Sequence, residues 1–244
     1  MKKIILSFGI IALMLVATSC NKETVEPKPQ STSINKIMPL GASRVEGNSP
    51  SYESYRYELW KKLIDGNWTF DYVGTMSDPA SYSDHSNQPF DVDHEGRGGL
   101  TSGQILAEVE DWLTQTGAPD IVLLSSPGGN DALQNEPYTQ ALSNINGIID
   151  KIQASNPNVT ILIEQMAPAH SSAMTPTLTS YLDQMQTDIP AIASQQSTAT
   201  SQVIVVDMQT GFQDSYLADD VHYNEAGATF IASRYYDVLV NILE

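Results

Sequence analysis

The fold is decided by residues 34–44, which read INKIMPLGASR. Ile34 to Leu40 is a short, mostly apolar run with the length of a buried strand. It leads directly into Gly41, Ser43 and Arg44, so the strand ends on a small residue that is followed by polar ones. A serine just past a glycine at a strand end can project its hydroxyl into a crevice, although serine is also common in ordinary turns.

Outward from this stretch, the chain alternates between strand and helix patterns. Four further strands are predicted, at residues 68–73, 121–124, 159–163 and 203–206. Five strands separated by helices predict a parallel sheet covered on both faces, which is a three-layer α/β/α sandwich. We predict the strand order 2-1-3-4-5, which places the ends of the first and third strands side by side. In such sheets the functional crevice lies outside the carboxyl ends of the strands.

Helix boundaries follow from apolar spacing and from breaker residues. The first helix is predicted to carry its apolar stripe from Tyr52 onward and to end at Gly66. A later helix is predicted to end at Pro190, because proline usually terminates a helix. Residues 77–99 are rich in polar residues and are predicted to form a long loop.

The composition excludes several classes of protein. The chain has 12 Lys and Arg against 29 Asp and Glu, which gives a formal net charge of -17. Nucleic acid is not expected as a partner, since it requires a basic binding face. Strongly anionic substrates are disfavoured for the same Coulombic reason. Hydrophobic residues make up 41%, too many for a disordered chain and too few for a multispanning membrane protein.

The amino terminus has the pattern of an export signal. Lys2 and Lys3 precede an apolar run at residues 4–16, which is too short to span a bilayer. Ala-Thr-Ser then leads to Cys20, the only cysteine, and this resembles a bacterial lipobox. We therefore predict a signal segment at residues 1–20, a flexible linker at 21–33 and a folded domain at 34–244. The alternative is a plain secretory signal with an incidental cysteine.

This pattern also predicts the location of the protein. Cleavage before Cys20 and lipidation of its thiol would produce an extracytoplasmic lipoprotein anchored to a bacterial membrane. The anchored domain would face the periplasm or the cell surface. A single cysteine allows no disulfide within the chain.

Two more polar segments follow predicted strands. Gly128-Gly129-Asn130-Asp131 comes after the third strand, and Asp219-Asp220-Val221-His222 comes after the fifth. A carboxylate three residues before a histidine can orient the imidazole through Nδ1 and leave Nε2 to face a nucleophile. Asp219 has this spacing, and Asp220 is close enough to be a rival. We expect Ser43, Asn130 and His222 to meet at one end of the sheet.

These segments, in this order, resemble the SGNH hydrolases, also called the GDSL family. The similarity is closest to the carbohydrate esterases related to acetyl xylan esterases. IMPLGAS at residues 37–43 corresponds to IMPLGDS, DHEGRGG at 93–99 to the second block, GGND at 128–131 to the third, and DDVH at 219–222 to the last. Ala42 stands where the family has aspartate. The resemblance covers residues 34–244 and implies a flavodoxin-like SGNH hydrolase fold.

The resemblance also implies an activity and its residues. It implies a serine esterase with Ser43 as nucleophile, His222 as base and Asp219 as the acid that orients it. The oxyanion hole would be formed by the backbone of Ser43 and Gly99 and by the side chain of Asn130. No metal or organic cofactor is implied. The implied substrate is an acylated, specifically an acetylated, carbohydrate.

Two alternatives remain open at this stage. One is a general or lipase-type esterase of the same family, and the other is a catalytically weak, glycan-binding lipoprotein that retains the fold. For metals, the acidic residues Asp91, Asp93 and Glu95 before Gly96 are similar to the start of a calcium loop, but Ser102 occupies the position of the closing acid. An ordinary loop is therefore favoured. The remaining histidines lack zinc-site spacing and are interpreted as surface or loop residues, at positions 85, 94 and 170.

Overall fold

The computed structural model describes residues 28–244. Its strands are β1 (Lys36–Gly41), β2 (Asp71–Tyr72), β3 (Met76–Ser77), β4 (Asp93–Gly96), β5 (Ile121–Leu124), β6 (Thr160–Gln165) and β7 (Val203–Asp207). Its α-helices are α1 (Ser43–Glu46), α2 (Arg56–Asp65), α3 (Ser102–Thr116), α4 (Gly129–Leu133), α5 (Tyr138–Ser155), α6 (Pro176–Gln196) and α7 (Glu225–Leu239).

The central sheet runs in the order β4-β1-β5-β6-β7, and all these neighbours are parallel. Strand β5 occupies one edge of β1, and two short strands share the other edge. Strand β2 pairs with Lys36 and Ile37, whereas β4 pairs with Leu40 and Gly41. The predicted parallel sheet and its order are confirmed, with the second position divided between β2 and β4.

The sheet is buried on both faces because its apolar residues alternate between two cores. Met38, Val122 and Ile161 face a core formed with helices α3, α5 and α6. Ile37 and Leu123 face a second core formed with α2 and α7. This alternation follows the two-residue period of a strand. It produces the predicted α/β/α sandwich.

The prediction of a continuous loop at residues 77–99 is wrong. Strand β4 lies within it, and the antiparallel strand β3 begins just before it and includes Ser77. The polar sequence DHEG carries no strand-like hydrophobic pattern, so composition alone misses it. This strand is held by backbone hydrogen bonds to β1. The last of them, from the Arg97 N–H to the Gly41 carbonyl, is 3.1 Å long.

The predicted end of a helix at Pro190 is also wrong, because α6 continues to Gln196. A proline inside a helix leaves the carbonyl four residues earlier without its partner. Here that carbonyl belongs to Gln186, and it accepts a hydrogen bond of 2.7 Å from the Gln165 side chain. Ile189 and Ile192 are buried on either side of the proline, so packing maintains the helix. The end predicted at Gly66 is confirmed.

The first described residues lie against the domain beside β3 and β4. Lys28 Nζ is 2.6 Å from Asp93 Oδ1 and 2.7 Å from Ser77 Oγ. The predicted signal segment, Cys20 and the linker up to residue 27 lie outside the described residues. Within residues 28–244, no helix is both long enough and apolar enough to cross a bilayer.

Candidate active site

Ser43 lies at the carboxyl end of β1, at the first position of α1. The backbone turns sharply there because Gly41 has no side chain. A Cβ on Gly41 would lie 2.9 Å from the Ser125 carbonyl oxygen and 2.9 Å from Val45 Cγ2. The glycine therefore allows the strand to end tightly between β5 and α1. The Ala42 carbonyl accepts the first backbone hydrogen bonds of α1, so this turn forms without an aspartate at position 42.

Ser43, His222 and Asp219 form a continuous hydrogen-bonded chain. Ser43 Oγ is 2.9 Å from His222 Nε2, and His222 Nδ1 is 2.7 Å from Asp219 Oδ2. The second oxygen of Asp219 accepts the backbone N–H groups of Val221 and His222, each at 2.8 Å. Partial burial alone would raise the pKa of Asp219, but these hydrogen bonds bring it below its ordinary value. The carboxylate is therefore ionised and able to stabilise a protonated imidazole.

Asp220 does not take part in this chain. Its backbone carbonyl accepts the N–H of His170 at 2.8 Å, and its exposed side chain makes no hydrogen bond among residues 28–244. Of the two neighbouring carboxylates, Asp219 is thus the one in contact with His222.

The imidazole of His222 is also held by Tyr52. The two rings are stacked, with centroids 4.0 Å apart and an interplanar angle of 15°. The sequence pattern placed Tyr52 inside the first helix, but α2 begins only at Arg56. Tyr52 instead lies in the loop after α1, where its ring can reach the histidine. Helical spacing concealed this contact, since Tyr52 fits the apolar stripe of α2.

Hydrogen bonds from two sides hold the segment Gly98–Leu100 in place beside Ser43. On one side, Glu46 of α1 accepts the Gly98 N–H at 2.7 Å. On the other side, Asn130 Nδ2 of α4 donates to the Leu100 carbonyl at 2.9 Å. Gln134 Nε2, just after α4, donates to the Gly99 carbonyl at 2.8 Å. Gly99 has φ of +80°, a left-handed conformation that favours glycine.

Asp131 holds the chain in place just after the Gly98–Leu100 segment, at the start of α3. Its carboxylate is 2% exposed and accepts the Ser102 N–H at 2.8 Å and the Ser102 hydroxyl at 2.6 Å. Ser102 is the first residue of α3, and the Asp131 side chain there satisfies an N–H group that has no helical partner. The aspartate of the third motif is therefore a structural anchor, and the asparagine beside it faces the pocket.

Two buried charged residues that were not anticipated support the site. Arg44 donates from Nε to the Val221 carbonyl at 2.8 Å and from Nη1 to the Ala167 carbonyl at 2.7 Å. Its guanidinium also lies 4.7 Å from the ring centroid of Tyr223. Arg44 thus ties the residue after Ser43 to the loop that carries His222.

Glu164 is the second of these residues and is fully buried at the end of β6. It accepts hydrogen bonds from the Ser126 N–H at 2.7 Å, the Ser125 hydroxyl at 2.9 Å and the Tyr235 hydroxyl at 2.7 Å. Burial raises the pKa of Glu164, while these hydrogen bonds and Arg44 act in the opposite direction. The carboxylate braces the turn after β5 from inside the fold. An acid within the apolar run ILIEQ was the sequence signal that could have revealed it.

A small pocket opens beside Ser43. Its cavity volume is about 50 Å³, which is room for a few water-sized groups. It runs between the turn after β5 and helix α6. Its lining is mostly apolar and includes Ser43, Asn130, Leu133, Met166, Ala167, Leu178, Leu182 and Val221. The arrangement places a serine hydroxyl, an imidazole and an amide donor near a cavity that has room for a small apolar group.

The acidic residues of the suspected calcium loop each have a separate partner. Asp91 accepts the Tyr72 N–H at 2.7 Å, and burial raises the pKa of this carboxyl to about 6. Asp93 pairs with Lys28, and Glu95 accepts the Thr75 N–H at 2.7 Å. Residues 28–244 contain no cluster of three His, Cys, Asp or Glu side chains arranged to hold a metal ion.

The other three histidines also have local partners. His94 is buried on β4, so its interpretation as a surface or loop residue is wrong, and its Nδ1 accepts the Gly96 N–H at 3.0 Å. His85 pairs with Asp65 at 2.6 Å, and His170 lies 2.7 Å from the Ser172 hydroxyl. None of them contacts the Ser43 site.

The chain matches a known protein family and several solved structures. The sequence model described as the GDSL-like lipase/acylhydrolase family matches residues 70–230. Among solved structures, a carbohydrate esterase family 3 protein from Talaromyces cellulolyticus has a TM-score of 0.75 and 27% identity, over 86% of this chain and 98% of that one. A family 3 carbohydrate esterase from Clostridium thermocellum has a TM-score of 0.69 and 30% identity, over 86% and 96%.

A third similar structure is that of an acetyl esterase mutant with an acetate ion. It has a TM-score of 0.75 and 26% identity, over 86% of this chain and 98% of that one. No curated protein matches the chain.

Proposed function

Because the chain belongs to the GDSL-like lipase/acylhydrolase family and is therefore a hydrolase of ester bonds, we propose that it removes small acyl groups, specifically acetyl, from carbohydrates. Ser43, His222 and Asp219 are its proposed catalytic triad. The observation that carries this proposal is the hydrogen-bonded chain from Asp219 through His222 to Ser43, which ends at the mouth of a small pocket.

The proposed mechanism follows from the positions of these groups. A neutral serine hydroxyl is a poor nucleophile, so His222 Nε2 takes the proton of Ser43 as its oxygen attacks the ester carbonyl. Asp219 stabilises the imidazolium that forms. The same proton then passes from Nε2 to the departing sugar oxygen. His222 then deprotonates a water molecule that attacks the acyl-enzyme, and it passes this proton to Ser43 Oγ as the bond to Oγ breaks and the acid is released.

The negative charge that develops on the carbonyl oxygen requires hydrogen-bond donors. We assign these to the backbone N–H groups of Ser43 and Gly99 and to the side chain of Asn130. Asn130 Nδ2 carries two protons, and one of them is bound by the Leu100 carbonyl. The other is free to reach the oxyanion. Preorganised donors of this kind supply a large part of the rate enhancement in acyl transfer.

Pocket size and structural similarity both favour a small acyl group on a sugar. The small volume of the pocket suits an acetyl group better than a long acyl chain, which disfavours a lipase with this pocket. Two of the similar structures are carbohydrate esterases and one is an acetyl esterase with acetate. The intact hydrogen-bonded chain argues against a purely glycan-binding protein.

The direct test measures acetate released from a panel of acetylated polysaccharides by the wild-type protein and by Ser43→Ala. We expect release from at least one polysaccharide by the wild type and none above background by the variant. Activity on long-chain esters without acetate release from any glycan would replace the proposal with a lipase-type function. Glycan binding without any ester hydrolysis would favour the non-catalytic alternative.

Asn130→Ala is expected to lower kcat by about 10²–10³ and to change KM much less. The asparagine meets a weak dipole in the bound ester but a nearly full charge in the tetrahedral state, so its loss affects mainly the transition state. The measurement is steady-state kinetics on a small aryl acetate, with the melting temperature taken on the same preparation.

Gln134→Ala is the matched control for this variant. Gln134 also braces the Gly98–Leu100 segment, through the Gly99 carbonyl, but it does not line the pocket. We expect only a few-fold effect on kcat. If both variants lose stability equally and keep near-normal kcat, then Asn130 only braces the loop and is not an oxyanion donor.

We further propose that the protein is an extracytoplasmic lipoprotein anchored through Cys20, with residues 1–20 as its signal segment and 21–33 as the tether of the domain. Cys20→Ala is expected to leave the membrane fraction, because the 13-residue apolar run at 4–16 cannot span a bilayer. Ser43→Ala, with the same leader, should stay in that fraction. Retention of Cys20→Ala in membranes would contradict the proposed lipid anchor.

A further inference from the structure

The position of the acyl group follows from the positions of the other groups on the reacting carbon. In the tetrahedral state the leaving oxygen must lie near His222 Nε2, which gives it a proton. The charged oxygen must lie near Asn130 and Gly99. The remaining substituent, which is the acyl chain, is therefore directed into the pocket between the turn after β5 and helix α6. This step rests on the esterase function proposed above.

A second groove begins where that pocket ends. It lies between the end of α4 and the start of α6, and its lining includes Ala132, Asn135, Thr175 and Tyr181. Two residues line both cavities, Leu133 from α4 and Leu178 from α6. These two side chains thus stand between a pocket of about 50 Å³ and a larger groove of about 380 Å³ with a lining of mixed polarity.

Leu133 and Leu178 are placed in this wall by different parts of the fold. Leu133 is the last residue of α4 and is 46% exposed, which is unusual for a leucine in this protein. Leu178 is in the first turn of α6, where its N–H is bound by the Thr175 hydroxyl at 3.2 Å. An exposed leucine at the edge of a small pocket has no core to stabilise. Its position is explained if it limits what the pocket can hold.

One turn before Leu133 on α4, the pocket is widened because Gly129 has no side chain. Gly129 has ordinary helical geometry, and a Cβ there would be 3.6 Å from Met166 Sδ and 3.8 Å from Ser126 Cβ. Alanine would therefore fit without strain, and its methyl group would occupy pocket space. The glycine thus keeps open a volume that helix packing does not require.

We propose that Leu133 and Leu178 form the wall that restricts the acyl group to a short chain, and that their truncation joins the pocket to the neighbouring groove. Acyl-length specificity is thereby set by contacts between α4 and α6. Gly129, one turn before Leu133 on α4, sets the width of the same pocket. The ligand of the joined cavity would be an acyl chain of four to six carbons.

The test uses p-nitrophenyl acetate, butyrate and hexanoate, which share one leaving group, and compares kcat/KM. For Leu133→Ala and Leu178→Ala we expect the hexanoate-to-acetate ratio to rise about tenfold or more, since each methylene in an apolar pocket changes discrimination by about tenfold or more. For Gly129→Ala we expect the butyrate-to-acetate ratio to fall. Leu142→Ala, on α5 and away from both cavities, is the matched control and should leave both ratios unchanged.

The outcomes separate this inference from the proposed function. If the wild type shows no Ser43-dependent hydrolysis of any ester, the esterase proposal fails. If it hydrolyses acetate through Ser43 but the folded Leu133→Ala and Gly129→Ala proteins keep wild-type ratios, only the wall assignment fails. A second series, of acetates of different alcohols, is measured on the same variants, and a change in preference within that series at constant acyl preference would assign the pocket to the leaving group. Leu133 is half-exposed, so its variant remains informative even if Leu178→Ala does not fold.

Discussion

Ser43→Ala is expected to reduce kcat on a small aryl acetate by a factor on the order of 10⁵–10⁶, with the fold unchanged. The variant has no oxygen at the position that His222 activates, so no acyl-enzyme can form. His222→Ala should cost nearly as much, because the hydroxyl then has no base within reach. The double variant should be little worse than either single one, since members of a triad act as a unit.

The measurement is single-turnover kinetics on the two single variants and the double variant, with melting temperatures recorded in parallel. His170→Ala is the matched control, because its side chain contacts Ser172 and not the Ser43 site. We expect this control to retain wild-type kcat. Losses that multiply in the double variant would contradict a shared proton transfer between Ser43 and His222.

Asp219→Asn should lower kcat by about 10⁴, whereas Asp220→Asn should change it only a few-fold. An asparagine amide at position 219 would donate to His222 Nδ1 and so place the ring proton on Nε2, which is the wrong tautomer for accepting the Ser43 proton. The side-chain oxygen of asparagine can still accept the Val221 and His222 N–H groups. The loop should therefore keep its shape, and the loss should be one of catalysis rather than of folding.

Asp220→Asn is a close control, since it makes the same chemical change one residue away, on a side chain that does not contact His222. Kinetics and melting temperatures of the two variants would be compared at a pH above the ordinary pKa of histidine. The reverse ranking would move the orienting role to Asp220. Equal and small effects would mean that His222 does not depend on either carboxylate.

The sheet was predictable because its strands obey simple periodicity. Strands such as Ile121–Leu124 are apolar throughout, and parallel strands buried on both faces have this composition. Strand β4 was missed because its partners are backbone groups of β1, and its side chains do not reveal them. The extension of α6 past Pro190 depends on Gln165, which lies on another element. Local rules do not include such contacts.

The residues of the candidate site also fall into a group that the sequence predicts and a group that only the structure reveals. Ser43, Asn130, Asp219 and His222 lie in short segments that each follow a strand, and the common edge of the sheet brings them together. The supporting residues Arg44, Glu164 and Tyr52 act through contacts with residues far away in the sequence. Their partners are mostly backbone carbonyls, N–H groups and a ring face, which no residue pattern encodes. The first group could be predicted, and the second required coordinates.

The pairing of β4 with the last two residues of β1 bears on how the family can vary in sequence. Adjacent strands lie about 4.8 Å apart wherever they are hydrogen-bonded, whatever their side chains. The spacing between the Ser43 backbone and the Gly98–Gly99 segment is therefore inherited from main-chain geometry. Substitutions at neighbouring positions, such as alanine for aspartate at 42, can accumulate without altering that spacing. We therefore expect substitutions around Ser43 to preserve the site as long as the glycines that permit this close approach remain.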